Sequence, residues 1–298
     1  MAHDFVDPEA LARLSNVPLE ARAPMQGNIS GRHRSPHRGS SVEFAEYRKY
    51  VPGDDTRRLD WKAYGRSDRY YIKEFEADTN LRIYFVVDVS GSMAFSGDGE
   101  EKLQFARRII STLSYLAVNQ GDAAGVCFCK EKIHLDIPPS RRPAHLQLVY
   151  DQLSKAKPEG ITGIVQALHD VAEKIRQRAL VIVLSDFFVD TKEFGDALQH
   201  LRYRKHDIAV FHLMDPQEIN FEFERPQRFV DLEDGTAVVA EASLIADEYR
   251  EAVQEFLEEI KVQCHDANAD YHLVKTTEDY EKVILDFLIA RLSKGTKK

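Results

Sequence analysis

The chain has 298 residues, 43% hydrophobic and 30% charged, which is the balance of a soluble globular protein long enough to bury a sizeable core without staples. Its longest apolar run, 179–184, is far below the roughly 18 residues a spanning helix needs. The first 22 residues carry Asp4, Asp7, Glu9 and Glu20 and no apolar stretch, which speaks against an export signal.

Residues 1–27 read as a weakly ordered tail or short helix, broken by Pro8, Pro18, Pro24 and Gly27. Residues 28–80 form an arm of different composition, rich in Arg, Tyr, Gly and Asp. Short β-like pieces at 42–47 and 70–75 flank a turn signal, Pro52-Gly53-Asp54-Asp55. Residues 22–73 hold 12 basic and 6 acidic residues, so the remainder carries −15 of the overall −9. The arm is therefore expected to dock on its own acidic domain rather than on nucleic acid. Trp61, the only tryptophan, lies among Tyr47, Tyr50, Tyr64, Tyr70 and Tyr71, rings that would pack the arm onto the domain or form an aromatic platform. Arg57 and Arg58 beside Asp54, Asp55 and Asp60 read as an ion-pair network. Arg57, Asp60 and Trp61 also make a candidate partner-binding surface.

From residue 81 the pattern turns to strand, helix, strand, helix. The buried strand 82–88 precedes an amphipathic helix at 100–119, where Leu103, Ala106, Ile110, Leu113 and Ala117 recur at helical spacing. Strands follow at 124–129 and 132–137, then helices at 143–155 and 163–178. Next come a buried strand at 180–184, a helix at 191–205 and a buried strand at 208–214. Strand-like pieces at 228–232 and 237–239 surround Asp234-Gly235. A helix at 242–260, a strand at 271–274 and a helix at 279–292 complete the chain. This alternation predicts an α/β, doubly wound, mostly parallel sheet with helices on both faces, occupying 81–298 behind the β-containing arm. Cys127 and Cys129 lie on one face of a strand, so reduced thiols in a core and a cytoplasmic location are expected.

The sharpest signal is Asp88-Val89-Ser90-Gly91-Ser92-Met93, at the carboxyl end of the first buried strand, where open α/β sheets bind ligands. Gly91 permits the tight turn that brings Asp88, Ser90 and Ser92 together. One carboxylate and two hydroxyls suit a hard divalent cation, Mg²⁺ or Mn²⁺, and leave it under-neutralised. Such an ion recruits an acidic group from outside. Thr162, just before a helix, and Asp186, at a strand end, fall at the same end of the sheet and are expected to complete the site. Phe187 and Phe188 could supply an apolar rim around the ion, although core packing is the expected role of at least one of them.

Asp-x-Ser-x-Ser with a later Thr and a later Asp resembles the metal-ion-dependent adhesion site of von Willebrand factor A domains, a likeness covering roughly 81–292. The segment before it is similar to a bacterial family known as domain of unknown function 58. That likeness rests on residues 41–44, on Arg48-x-Tyr50-x-Pro52-Gly53-Asp54-Asp55-x-Arg57-x-Leu59-Asp60-Trp61, on Arg66 and on Lys73-x-Phe75-Glu76. The resemblance implies a Rossmann-like von Willebrand A domain and a MoxR-type AAA+ ATPase partner in chaperone-like assembly. The chain departs from that family's usual Gly-Gly-Thr loop by carrying Ile161 before Thr162.

The expected function is a metal-dependent protein-binding module, not an enzyme, which contacts the ATPase or its client through an acidic residue. A Mg²⁺-dependent phosphohydrolase using Asp88 as acceptor is the alternative. It lacks the second Asp two residues on, where Ser90 stands, and a lysine near Asp186 closer than Lys192. A metal-free scaffold is a further alternative. There is no phosphate-binding Gly-x-x-x-x-Gly-Lys-Ser/Thr loop, no zinc-like Cys/His spacing and no Gly-x-Ser-x-Gly elbow.

Overall fold

The structure is a computed structural model that describes residues 3–20, 43–51, 59–67, 69–76, 81–223 and 225–295. The elements in chain order are α1 (Pro8–Leu14), β1 (Glu43–Lys49), α2 (Trp61–Ser67), β2 (Tyr71–Glu76), β3 (Arg82–Asp88), α3 (Lys102–Asn119), β4 (Ala123–Cys129), β5 (Ile133–Ser140), α4 (Pro143–Lys155), α5 (Ile164–Lys174), β6 (Leu180–Ser185), α6 (Thr191–Tyr203), β7 (Asp207–Met214), α7 (Pro216–Asn220), β8 (Gln227–Val230), β9 (Ala237–Ala240), α8 (Ala242–Asp266), β10 (Asp270–Lys275) and α9 (Tyr280–Gly295). A short 3-10 helix, Gly91–Ala94, follows β3.

Six strands form the main sheet in the order β10-β7-β6-β3-β4-β5. All pairings are parallel except β4 with antiparallel β5. β3 is central because six of its seven residues are buried and both its edges are paired. Side-chain alternation assigns each face its own core. Ile83, Phe85 and Val87 join the cluster built with α1, α3, α4 and α9, whereas Tyr84 and Val86 join the one built with α5, α6 and α8. Each such fully buried side chain contributes about 1.5–3 kcal/mol. From β3 the chain moves to β4 on one side and returns to β6 on the other, so a crevice opens at the carboxyl ends of β3 and β6. That reversal of direction is the topological switch point.

The expected α/β, doubly wound, mostly parallel architecture is present. Some boundaries differ. The helix expected over 163–178 stops at Lys174, where Ile175 turns to extended backbone. The helix expected to end at Ile260 runs on to Asp266.

The N-terminal segment is more than a tail. Asp7 caps α1 by accepting from the amides of Glu9 and Ala10, and Pro8 occupies the first turn. Phe5, Ala10, Leu14 and Leu19 are buried. The Ser111 hydroxyl of α3 donates to the Phe5 carbonyl, and Gln120 bridges the Leu19 amide and the Val17 carbonyl.

β1 and β2 pair antiparallel as a separate two-stranded sheet. Within the arm, Asp60 caps α2 through the Ala63 amide, and Tyr64 stacks on Tyr70 with ring centroids 4.5 Å apart. The predicted turn at Pro52-Gly53-Asp54-Asp55 lies outside the described residues, as do Arg57 and Arg58.

Candidate metal centre

Asp88 ends β3 and is wholly buried, and each of its oxygens has a defined use. Oδ1 accepts from the Ser90 amide (2.9 Å), an Asx turn that bends the chain out of the strand. Oδ2 accepts from the hydroxyls of Thr162 (2.7 Å) and Ser185 (2.8 Å). The Ser90 and Ser92 hydroxyl oxygens lie 3.1 Å apart. A hydroxyl that donates to a carboxylate keeps its lone pairs for another ligand. Ser90, Ser185 and Asp186 are fully buried, whereas Ser92 and Thr162 are half-buried and form the open rim.

Thr162 reaches Asp88 because its loop is stitched to the turn after β3. The Glu159 amide donates to the Val89 carbonyl and the Gly91 amide to the Gly160 carbonyl. Gly160 has φ +80°, a left-handed conformation that suits glycine. Ile161, which replaces a glycine of the resembled family, points outward and leaves Thr162 in place.

Asp186 follows β6. Its Oδ2 accepts from Lys102 Nζ (2.6 Å), and its buried Oδ1 has no hydrogen-bond partner among the described residues. Lys102, at the start of α3, also donates to Glu218 Oε1 (2.8 Å) and lies 5.5 Å from the Phe188 ring centroid. Burial acts to lower the pKa of this ammonium, but Asp186 and then Glu218 outweigh it, so Lys102 stays charged. Burial, then the nearby Asp186, pushes the Asp88 pKa up to about 6 against its three hydrogen bonds. When ionised, Asp88, Asp186 and Glu218 carry two negative charges more than Lys102 can offset.

A hard divalent cation fits this chemistry. The donors are all oxygen, two hydroxyl oxygens stand at ligand-like separation, one buried carboxylate oxygen has no partner among the described residues, and three carboxyl groups surround a single ammonium. Ser90, Ser92 and Thr162 would hold the ion, with Asp88 and Asp186 balancing its charge and orienting the hydroxyls. Among the described residues no group of three or more His, Cys, Asp or Glu is arranged to bind a metal.

All five residues expected at the site are thus gathered at one end of the sheet. The proposed rim is divided. Phe187 is buried against Phe194 and His212 and offers no surface to a partner, which corrects its reading as a rim residue. Its φ of +53° is unusual for a bulky residue and is held by that packing. Phe188 is 43% exposed and stacks on Phe256. In the arm, Trp61 is 63% exposed, whereas Asp60 is buried and serves as a helix cap. Ser185, Lys102 and Glu218 were not identified from sequence. Only Ser185, adjacent to Asp186, carried a local signal.

A family profile described as "Protein of unknown function DUF58" matches residues 46–259. Curated relatives include uncharacterized proteins of Mycobacterium tuberculosis and Mycobacterium bovis. Each is 24% identical over 294 residues, 97% of this chain and 92% of the relative. Solved structures with a related course of the chain include an aerotolerance-related membrane protein from Bacteroides fragilis, with TM-score 0.49, 17% identity and coverage of 71% of this chain and all of that one. BatB from Bacteroides thetaiotaomicron gives TM-score 0.48 and 16% identity, covering 74% of this chain and all of its own. The SpRpn10 VWA domain gives 0.41 and 11%, covering 70% of this chain and 95% of its own. Among the described residues no helix is long and apolar enough to cross a membrane.

Proposed function

From the premise that this chain belongs to the DUF58 family, we propose that it is a protein-interaction module whose site binds Mg²⁺ or Mn²⁺ and takes an acidic residue of a partner. The carrying observation is the cluster at the ends of β3 and β6, where Asp88 organises Thr162 and Ser185 while a buried Asp186 oxygen has no partner among the described residues. An ion on neutral hydroxyls keeps much of its charge. A partner carboxylate replacing water there makes a charge-assisted contact in a partly dry site. Half-exposed Phe188 and exposed Trp61 are available as apolar contacts.

The family resemblance favours a MoxR-type AAA+ ATPase or its client as the partner, with binding rather than catalysis as the activity. The three buried free thiols suit a reducing cytoplasm. The test is calorimetry with Mg²⁺ and Mn²⁺ on the wild type and Asp88→Ala, followed by capture of the ATPase with and without chelator. We expect binding by the wild type, loss in Asp88→Ala, and chelator-sensitive capture. Equal ion binding by both proteins refutes the metal site. Ion binding with capture indifferent to chelator leaves a metal-free docking surface instead.

A further inference from the structure

The candidate site is covered by the chain itself. Among the described residues β8 and β9 pair only with each other, as a two-stranded hairpin beside the main sheet. Its base rests on aromatic packing, with Phe229 stacked on Phe221 and edge-on to Phe223. Its tip, residues 231–236, is internally braced. The Asp231 carboxylate accepts from the amides of Glu233 and Asp234, the Asp231 amide donates to the Thr236 carbonyl, and Gly235 takes φ +76°.

This braced tip lies on the residues of the site. A Cβ built on Gly91 would fall 2.0 Å from the Leu232 carbonyl oxygen, so the two backbones touch where only glycine fits. One residue on, Glu233 Oε2 accepts from the Thr162 amide at 3.3 Å. Thr162 is the residue whose hydroxyl bonds Asp88. The Glu233 carboxylate is thereby held on the loop that supplies Thr162 to Asp88. Val230, Val238 and Val239 of the hairpin are exposed.

We propose that Glu233 is the site's own acidic ligand. In the free protein its carboxylate takes the outward position of the ion, and the β8–β9 hairpin is a cover that a partner's carboxylate displaces. This rests on the metal-binding reading above and adds the residue with which a partner competes. The hairpin is poised for such exchange because its tip is held at the site by backbone contact and one long hydrogen bond, while its base stays anchored on Phe221.

The test is titration of the full chain with Mn²⁺ alone, followed by water-proton relaxation, in the wild type, Asp88→Ala and Glu233→Gln. Glutamine keeps the size of the side chain, and thermal unfolding checks the fold. The wild type should bind Mn²⁺ and Asp88→Ala should not. Glu233→Gln should bind at least about tenfold more weakly and show one more exchangeable water per bound ion. Added acetate should then reach the ion in Glu233→Gln at lower concentration than in the wild type. Unchanged affinity and hydration in Glu233→Gln overturn the inference while leaving the metal site standing. Weaker binding without the extra water, or equal acetate sensitivity, also overturns it, because Glu233 would then act only by tethering Thr162. Failure of the wild type to bind Mn²⁺ overturns the metal site and this inference together.

Discussion

At the residue scale, the ion pairs divide by burial. Lys102 is fully enclosed between Asp186 and Glu218, whereas pairs such as Lys261 with Glu258 are solvent-exposed. An exposed pair is worth about 1 kcal/mol or less. Removing one member of a buried set strands the remainder, at a cost of about 3–5 kcal/mol. Lys102→Met should therefore lower stability by roughly that amount in denaturant unfolding, and saturating Mg²⁺ should restore part of the loss by supplying positive charge. A stability change under 1 kcal/mol would contradict the buried-pair account. His206 makes a pH prediction. Burial, then Arg178 and Arg204, lower its pKa to about 4, and its Nδ1 accepts from the Ala179 amide. The folded state thus prefers neutral imidazole. The resulting stability is full above the unfolded pKa of about 6.5 and is lost as pH falls towards 4, by on the order of 3 kcal/mol. His206→Asn keeps an acceptor and should flatten the stability profile between pH 6.5 and 4, and an unchanged slope would assign that loss to other groups.

At the element scale, local pattern located the sheet strands well and the small devices poorly. β3 and α4 begin and end at the expected residues because hydrophobic period, turn signals and Pro143 agree. The segments α2, α7 and Gly91–Ala94 were not anticipated as helices, since each is seven residues or shorter and too short for periodicity to register. The β8–β9 strands were legible from Asp234-Gly235, but where the hairpin lands was not. Gly91→Ala probes that landing. Its Cβ cannot coexist with the Leu232 carbonyl at 2.0 Å, so the tip should lift. Limited proteolysis should cut 231–236 at least several-fold faster, while the main unfolding transition stays in place because the six-stranded core is untouched. Unaltered cleavage would mean that the hairpin tolerates the displacement without opening.

At the scale of the whole molecule, Arg291 of α9 ties remote segments together. It donates to Asp207 at the start of β7, to Asp270 at the start of β10 (2.8 Å), and to the Glu20 carbonyl (2.8 Å). Arg291→Ala removes the guanidinium that both buried carboxylates face and should lower the whole cooperative transition by about 3–5 kcal/mol, read by thermal or denaturant unfolding. A small early transition with the main one unmoved would instead confine its role to the N-terminal segment. By itself the sequence determined the α/β class, the parallel core strands, and the gathering of Asp88, Ser90, Ser92, Thr162 and Asp186 at one end of the sheet. These rest on local period and on strand-end position, which the chain writes residue by residue. Only the tertiary structure decided that Lys102 and Glu218 neighbour Asp186, that Ser185 shares Asp88 with Thr162, that Phe187 turns inward, and that Glu233 reaches Thr162. The partners in those contacts are separated by up to 116 positions, as in Lys102 with Glu218, or are oriented by side-chain packing. Periodicity and spacing carry no information about which distant loops meet, because that is settled by how the layers pack over the sheet.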